Sequence, residues 1–237
     1  MEEVSALKVR VKFSKHGAMR FIGHLDVMRY FQKAIRRAGL PIVFTEGFSP
    51  HMVMSFASPL GVGLESEGEY MDIEISSPVS TEEALETLNA VMVDGIRVVD
   101  FRKIPEEKAS NAMALVQAAD YLVKFREGME PSFDWQAKLK EFFTQDSILV
   151  LKKTKKSEKE MNIRPLIYDW KLQDDALFLR LSSGSSDNLK PELVMDAFFQ
   201  YAEAENPPFS LLITRLDLYT RTENGFCTLG ELGEHIG

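Results

Sequence analysis

His24 and His51 are the side chains best suited to moving a proton near neutral pH, and neither sits in a regular apolar pattern. His24 lies in Arg20-Phe21-Ile22-Gly23-His24-Leu25-Asp26, and His51 closes Glu46-Gly47-Phe48-Ser49-Pro50-His51. Two imidazoles within reach of one phosphodiester would serve as acid and base in its cleavage. Joined by Glu46 or Glu65 they would instead offer ligands to a metal, although no HxxxH spacing is present. The plainer reading is that each supports a turn. A histidine opening a helix meets the positive end of the dipole, which favours the neutral ring.

Other stretches suit binding rather than proton transfer. Pro59-Leu60-Gly61-Val62-Gly63-Leu64-Glu65-Ser66 is punctuated by glycine but lacks the lysine of a phosphate loop, and its GxG is not followed by xxG. A bulge or tight crossover is the expectation. Phe48, in a turn, either stacks on a base or staples its loop to the core. Arg29, Lys33, Arg36 and Arg37 share one flank of a helix, where they either hold phosphates or simply face solvent. Asp26 is spaced to pair with Arg29 or Tyr30. Lys152, Lys153 and Lys155, with Arg164 beyond, form a basic hairpin loop of the kind that grips phosphates and specifies little. The candidate binding set is therefore Arg20, His24, Asp26, Arg29, Lys33, Arg36, Arg37, Glu46, Phe48, His51, Gly61, Gly63, Glu65, Ser66, Lys152, Lys153, Lys155 and Arg164.

The elements that must position these residues are legible from periodicity. Residues 7–13 alternate apolar and basic, a strand with one face inward. His24 to Gly39 carries Leu25, Met28, Phe31, Ile35 and Ala38 at helical spacing, with Gly39 as its stop. Short strands are expected at 42–45 and 52–56 and a longer one at 69–75, where Met71, Ile73 and Ile75 alternate with polar residues. Ser80-Thr81-Glu82-Glu83 reads as a helix cap, and Ile96 to Ile104 as a strand. After a linker the order repeats: a strand at 121–125, a helix at 133–143, a strand at 148–153, a hairpin at 161–181, a helix from Pro191 to Ala204 and a strand at 211–220. This predicts an α+β protein of two ferredoxin-like halves in tandem, with antiparallel sheets and helices packed on one face. The expected bounds are 1–105, a linker at 106–119, 120–222 and a tail at 223–237.

Composition narrows the function classes. In 237 residues the hydrophobic fraction of 45% suffices for a core, and no apolar run is long enough to span a membrane. The acidic start Met1-Glu2-Glu3-Val4 lacks the apolar stretch of a secretory signal. A single cysteine, Cys227, excludes a disulfide framework within the chain and an iron–sulfur cluster held by it alone, and suits a cytoplasmic setting. The net charge of −8 conceals segregation: residues 1–50 carry +5, 152–164 carry +4 and 62–107 carry −9. Such patches create local fields that the total hides.

Together, Arg20 to Arg29, Ala38 to Pro41, Thr45 to His51, Met54 to Ala57, Leu60 to Ser66, and Lys152 to Lys156 leading to Asn162-Ile163-Arg164-Pro165-Leu166 resemble the radical SAM-linked bacterial proteins of unknown function. The resemblance covers roughly residues 7–220, with a form separate from the enzyme. It implies a partner, a radical SAM enzyme carrying its own iron–sulfur cluster and S-adenosylmethionine, and no cofactor on this chain. It carries no catalytic residue over. Three readings follow: an accessory module that binds RNA for that enzyme; a module that docks the enzyme through the acidic segment without RNA; and a metal-independent RNA-processing nuclease using His24 and His51.

Overall fold

The structure, a computed structural model, describes residues 6–106, 110–153 and 158–237, and of residues 152, 153, 158 and 159 the backbone alone. It is a mixed α+β fold with mostly antiparallel pairing, divided into two compact units. The first runs to Ala118 and takes the chain back from Arg215; the second is Ala119–Thr214.

In the first unit β1 (Leu7–Lys15) leads through a short 3-10 turn at Gly17–Phe21 into α1 (His24–Ala38). Gly39 ends that helix at φ 70°, the left-handed conformation that suits glycine. β2 (Met54–Phe56) and β3 (Glu65–Ile75) follow, then α2 (Thr81–Asn89) and β4 (Ile96–Lys103). Ser80 caps α2 as its sequence predicts, its hydroxyl accepting from the Glu83 N–H. β1 pairs antiparallel with both β3 and β4, and β2 pairs with β3, so these four strands stand in the order β4-β1-β3-β2. Val9, Val11 and Phe13 register against Ile73, Met71 and Glu69, which sets one face of the sheet towards Phe31, Ile35, Ala84 and Leu88 of the helices. Phe13, Phe31 and Phe56 interlock there, with centroids 4.6–6.1 Å apart.

Beyond Lys103, α3 (Ala112–Leu115) is a single turn. The second unit opens with β5 (Ala118–Phe125) and α4 (Trp135–Phe143). β6 (Leu149–Lys153) and β7 (Glu158–Asn162) pair only with each other, a ribbon apart from the main strands. β8 (Ile167–Gln173) and β9 (Ala176–Ser182) form a hairpin, α5 (Pro191–Tyr201) follows, and β10 (Leu211–Thr222) returns the chain to the first unit. Phe142 packs on Phe198 at 5.8 Å, and Phe143 stacks on Trp170 at 4.5 Å. In the first unit β11 (Gly225–Thr228) pairs with β10, and β12 (Glu234–His235) adds to the edge of β4. That addition shields the β4 edge with the chain's own backbone.

Three expectations need correction. Residues 42–45 make isolated bridges to Ile75 and Met52 rather than a strand. The single arm expected from 161 to 172 is split by a 3-10 turn at Arg164–Leu166, because Pro165 has no N–H to continue a ladder. The 223–237 tail is structured. In the first unit α1 and α2 pack on one face of the sheet, and residues 110–112 and the tail cover Arg10 and Asp72 on the other.

Candidate functional site

Two signature segments of the first unit, the one from Arg20 and the one from Leu60 to Ser66, meet at the end of β1. There the turn after β1 is tied to the start of β3. The Gly17 N–H donates to Glu65 Oε1 at 3.0 Å, Arg20 Nη1 reaches the same oxygen at 3.2 Å, and the Gly63 N–H donates to the Arg20 carbonyl at 2.8 Å. His16 stands between two carboxylates, 3.6 Å from Glu65 and 3.4 Å from Glu67. Burial opposes ionisation of Glu65, but the Gly17 N–H, His16 and Arg20 outweigh it and hold its carboxyl below the usual range. Gly63 takes φ 92°, which only glycine adopts easily, so the loop can reach back to Arg20.

Beneath this clasp lies a group of charges in the interior. Lys15 is 2% exposed, and its ammonium touches the Ile22 carbonyl at 3.5 Å. Arg215 forks onto Glu69 through Nε at 2.8 Å and through Nη2, which also donates to the Ser58 carbonyl. Burial pushes the Lys15 ammonium below its usual 10.5; Glu69 resists that shift and Arg215 adds to it. The sign for stability follows. The unfolded chain keeps the Lys15 proton up to about 10.5, and the folded chain gives it up earlier. The penalty of holding a buried cation is thus complete below the folded value and fades as pH rises towards 10.5. Lys15→Met is expected to stabilise the protein at pH 7, with a smaller gain at pH 10. Urea unfolding at the two pH values measures both.

The other predicted residues separate into bound and free. His24 packs edge-on against Phe56 at 5.2 Å, on the helix-covered face. His51 sits in a loop, its Nδ1 3.0 Å from the Thr45 hydroxyl, and borders a pocket with Lys8, Asp72 and Asn111 on the opposite face. The two imidazoles lie on different faces of the sheet and do not share one phosphate. Ser66 is fully buried, donating to the Arg215 carbonyl and accepting from the Gly68 N–H, so it holds strands together rather than a ligand. Among the described residues no three His, Cys, Asp or Glu side chains are grouped to hold a metal. Arg164 supports its own turn by donating to the Ile167 carbonyl at 3.2 Å. Lys155 lies outside the described residues, as do the side chains of Lys152 and Lys153.

Exposed residues are left on α1 and the loops. Arg29, Lys33, Arg36 and Arg37 all face solvent, opposite buried Val27, Phe31, Ala34 and Ile35. Arg29 makes only a long 3.5 Å contact with Asp26, and Arg37 donates to the Val91 carbonyl at 3.3 Å. Among the described residues Lys33 and Arg36 have no ion-pair partner. Phe48 is fully exposed beside exposed Glu46 and Gly47, so it does not staple its loop to the core. Phe21 is exposed too, with the Arg20 guanidinium 4.8 Å from its ring centre. Gly61 stays exposed in its loop. Cys227 sits on β11, its thiol pushed up by burial and by Glu231, which argues against a reactive thiolate.

Sequence reasoning missed Lys15, His16, Glu69 and Arg215 as members of this site. A protein-family model described as an uncharacterised protein conserved in bacteria (DUF2344) matches residues 8–191. No curated protein matches the chain.

Proposed function

We propose that this chain, which belongs to the family of uncharacterised proteins conserved in bacteria (DUF2344), is an accessory module that holds RNA for a radical SAM enzyme. The observation that carries the reading is the cationic row Arg29-Lys33-Arg36 at i, i+4 and i+7 on the solvent face of α1, almost free of internal partners. Such a row neutralises phosphates and releases their counterions, giving affinity without sequence preference. Exposed Phe21 and Phe48 are available to stack on unpaired bases. The radical SAM enzyme, with its cluster and S-adenosylmethionine, enters through the sequence resemblance alone, and the cytoplasmic setting through the lone cysteine. The strand order β4-β1-β3-β2 of the first unit supports the ferredoxin-like reading of that half.

The RNA surface in this reading is α1 and not the sheet. Arg10, Asp72 and Tyr70 on the sheet's second face are buried beneath the 110–112 segment and the tail. Several strand acids of the acidic segment are already paired, whereas Glu82, Glu83 and Glu86 on α2 are exposed. Glu65 is clasped by Arg20, Glu69 by Arg215, Asp72 by Arg10 and Asp100 by Arg102. Filter binding of single-stranded RNA at low and high salt tests the proposal. Binding should weaken steeply with salt, and Lys33→Glu/Arg36→Glu should reduce it by at least about tenfold at low salt. Absence of salt-dependent binding would overturn it.

A further inference from the structure

On the face of the first sheet away from α1 and α2, a pocket of about 280 Å³ opens between β1, β2, β3 and the start of α3. Its position follows from strand parity. Val9 points to the helices, so Lys8 and Arg10 point the other way, together with Glu74 and Asp72 across the register. Ser55, opposite Asp72, continues that surface. The Asp72 carboxylate is already consumed: Arg10 binds both its oxygens and the Ala112 N–H donates to one of them.

Lys8 and Glu74 differ. They are directly opposed on adjacent strands, both half-buried and both lining the pocket, yet among the described residues neither has an ion-pair partner. Asn111 lines the same space. Its Oδ1 accepts from the Met113 N–H and the Ser55 hydroxyl, which leaves the amide NH2 without a protein acceptor among the described residues. His51 closes the rim, held through Nδ1 by Thr45, with no partner for Nε2 among the described residues. One cation, one anion and one amide donor thus face a cavity at the small end of ligand-site volumes, too small for a well-enclosed nucleotide. An added phosphate would also meet the Glu74 carboxylate. A ligand carrying both charges a bond or two apart satisfies the set.

We propose that this pocket binds a free α-amino acid, with Lys8 and the Asn111 amide taking its carboxylate and Glu74 its ammonium group. The site is separate from the cationic row of α1, and it stands or falls independently of RNA binding. The larger cavity beside His16, about 530 Å³, is more exposed and, although Asp94 and Arg97 line it, offers no free amide donor, because Asn89 there is spent on both backbone groups of Val98.

Titration calorimetry with each of the twenty common L-amino acids at millimolar concentration tests it. At least one should bind, and its N-acetyl and carboxamide forms should each bind at least about tenfold more weakly, the loss expected for one charged hydrogen-bonding group. Lys8→Ala and Glu74→Gln should each weaken binding by a similar factor with unchanged unfolding midpoints, since among the described residues neither side chain has an ion-pair partner. Lys33→Ala/Arg36→Ala should leave it unaltered. The proposal is overturned if no amino acid binds, if the blocked forms bind as well as the free one, or if both pocket variants retain full affinity.

Discussion

Asp72→Ala is expected to lower the stability of the protein by about 3–5 kcal/mol, because it strands a buried guanidinium. Arg10 and Asp72 have side chains 1% and 3% exposed and meet through two hydrogen bonds of 2.8 and 3.0 Å. Two further donors of Arg10 go to the carbonyls of Leu229 and Ser110, and Asp72 also accepts from the Ala112 N–H at 2.7 Å. The pair therefore joins β1 and β3 to the tail and to the segment that opens α3. Removing the carboxylate leaves a buried positive charge on two carbonyls and an amide without its acceptor. Chemical denaturation of Asp72→Ala measures the loss. Arg10→Met/Asp72→Leu should recover most of it, since an apolar pair removes both charges together. A loss below about 1 kcal/mol for the single variant would mean that water reaches the pair and that the tail does not seal this face.

Glu69→Ala is expected to cost a comparable amount, about 3 kcal/mol or more, and to change the pH dependence as well. Its carboxylate neutralises Arg215 and is the charge that most favours a protonated Lys15. Without it, two cations remain close together in the interior. The less costly escape is for Lys15 to lose its proton, so its ammonium should be driven lower still. Stability of Glu69→Ala should then rise with pH more steeply than that of the parent protein below pH 10.5. Adding Lys15→Met should remove most of this extra slope. Equal slopes in Glu69→Ala and the parent would place Lys15 outside the reach of Glu69.

Periodicity in the first half carried much of this architecture. The alternation of Val9, Val11 and Phe13, the stop at Gly39 and the cap at Ser80 each follow from local chemistry, and each stands where expected. The same alternation also held the clue to the interior charges. Continued by two residues, it puts Lys15 inward after Phe13, and continued backwards from Met71 it puts Glu69 inward too. A lysine and a glutamate at consecutive core-facing positions are a readable signal of a buried ionic group. Their partner Arg215 is not readable in this way, since it lies 146 residues from Glu69 and only the fold brings it there. The covering of the second sheet face was hidden for a related reason. Arg10 and Asp72 have the polarity of a solvent face, and the strands that bear them do not encode the tail that buries them. Local spacing likewise left open whether His24 and His51 meet; in the fold His24 packs on Phe56, while His51 borders the pocket lined by Lys8 and Asp72.

The salt dependence of RNA binding, measured as the slope of log K against log salt for the parent protein and for Lys33→Ala/Arg36→Ala, is the most direct test of α1 as the phosphate-binding surface. Every phosphate that is no longer neutralised should reduce the slope by about 0.7 for a single strand, so the double variant should be shallower by about 1.4, whatever the RNA sequence. An unchanged slope in the double variant, or a parent protein that binds RNA with no salt dependence, would contradict that assignment.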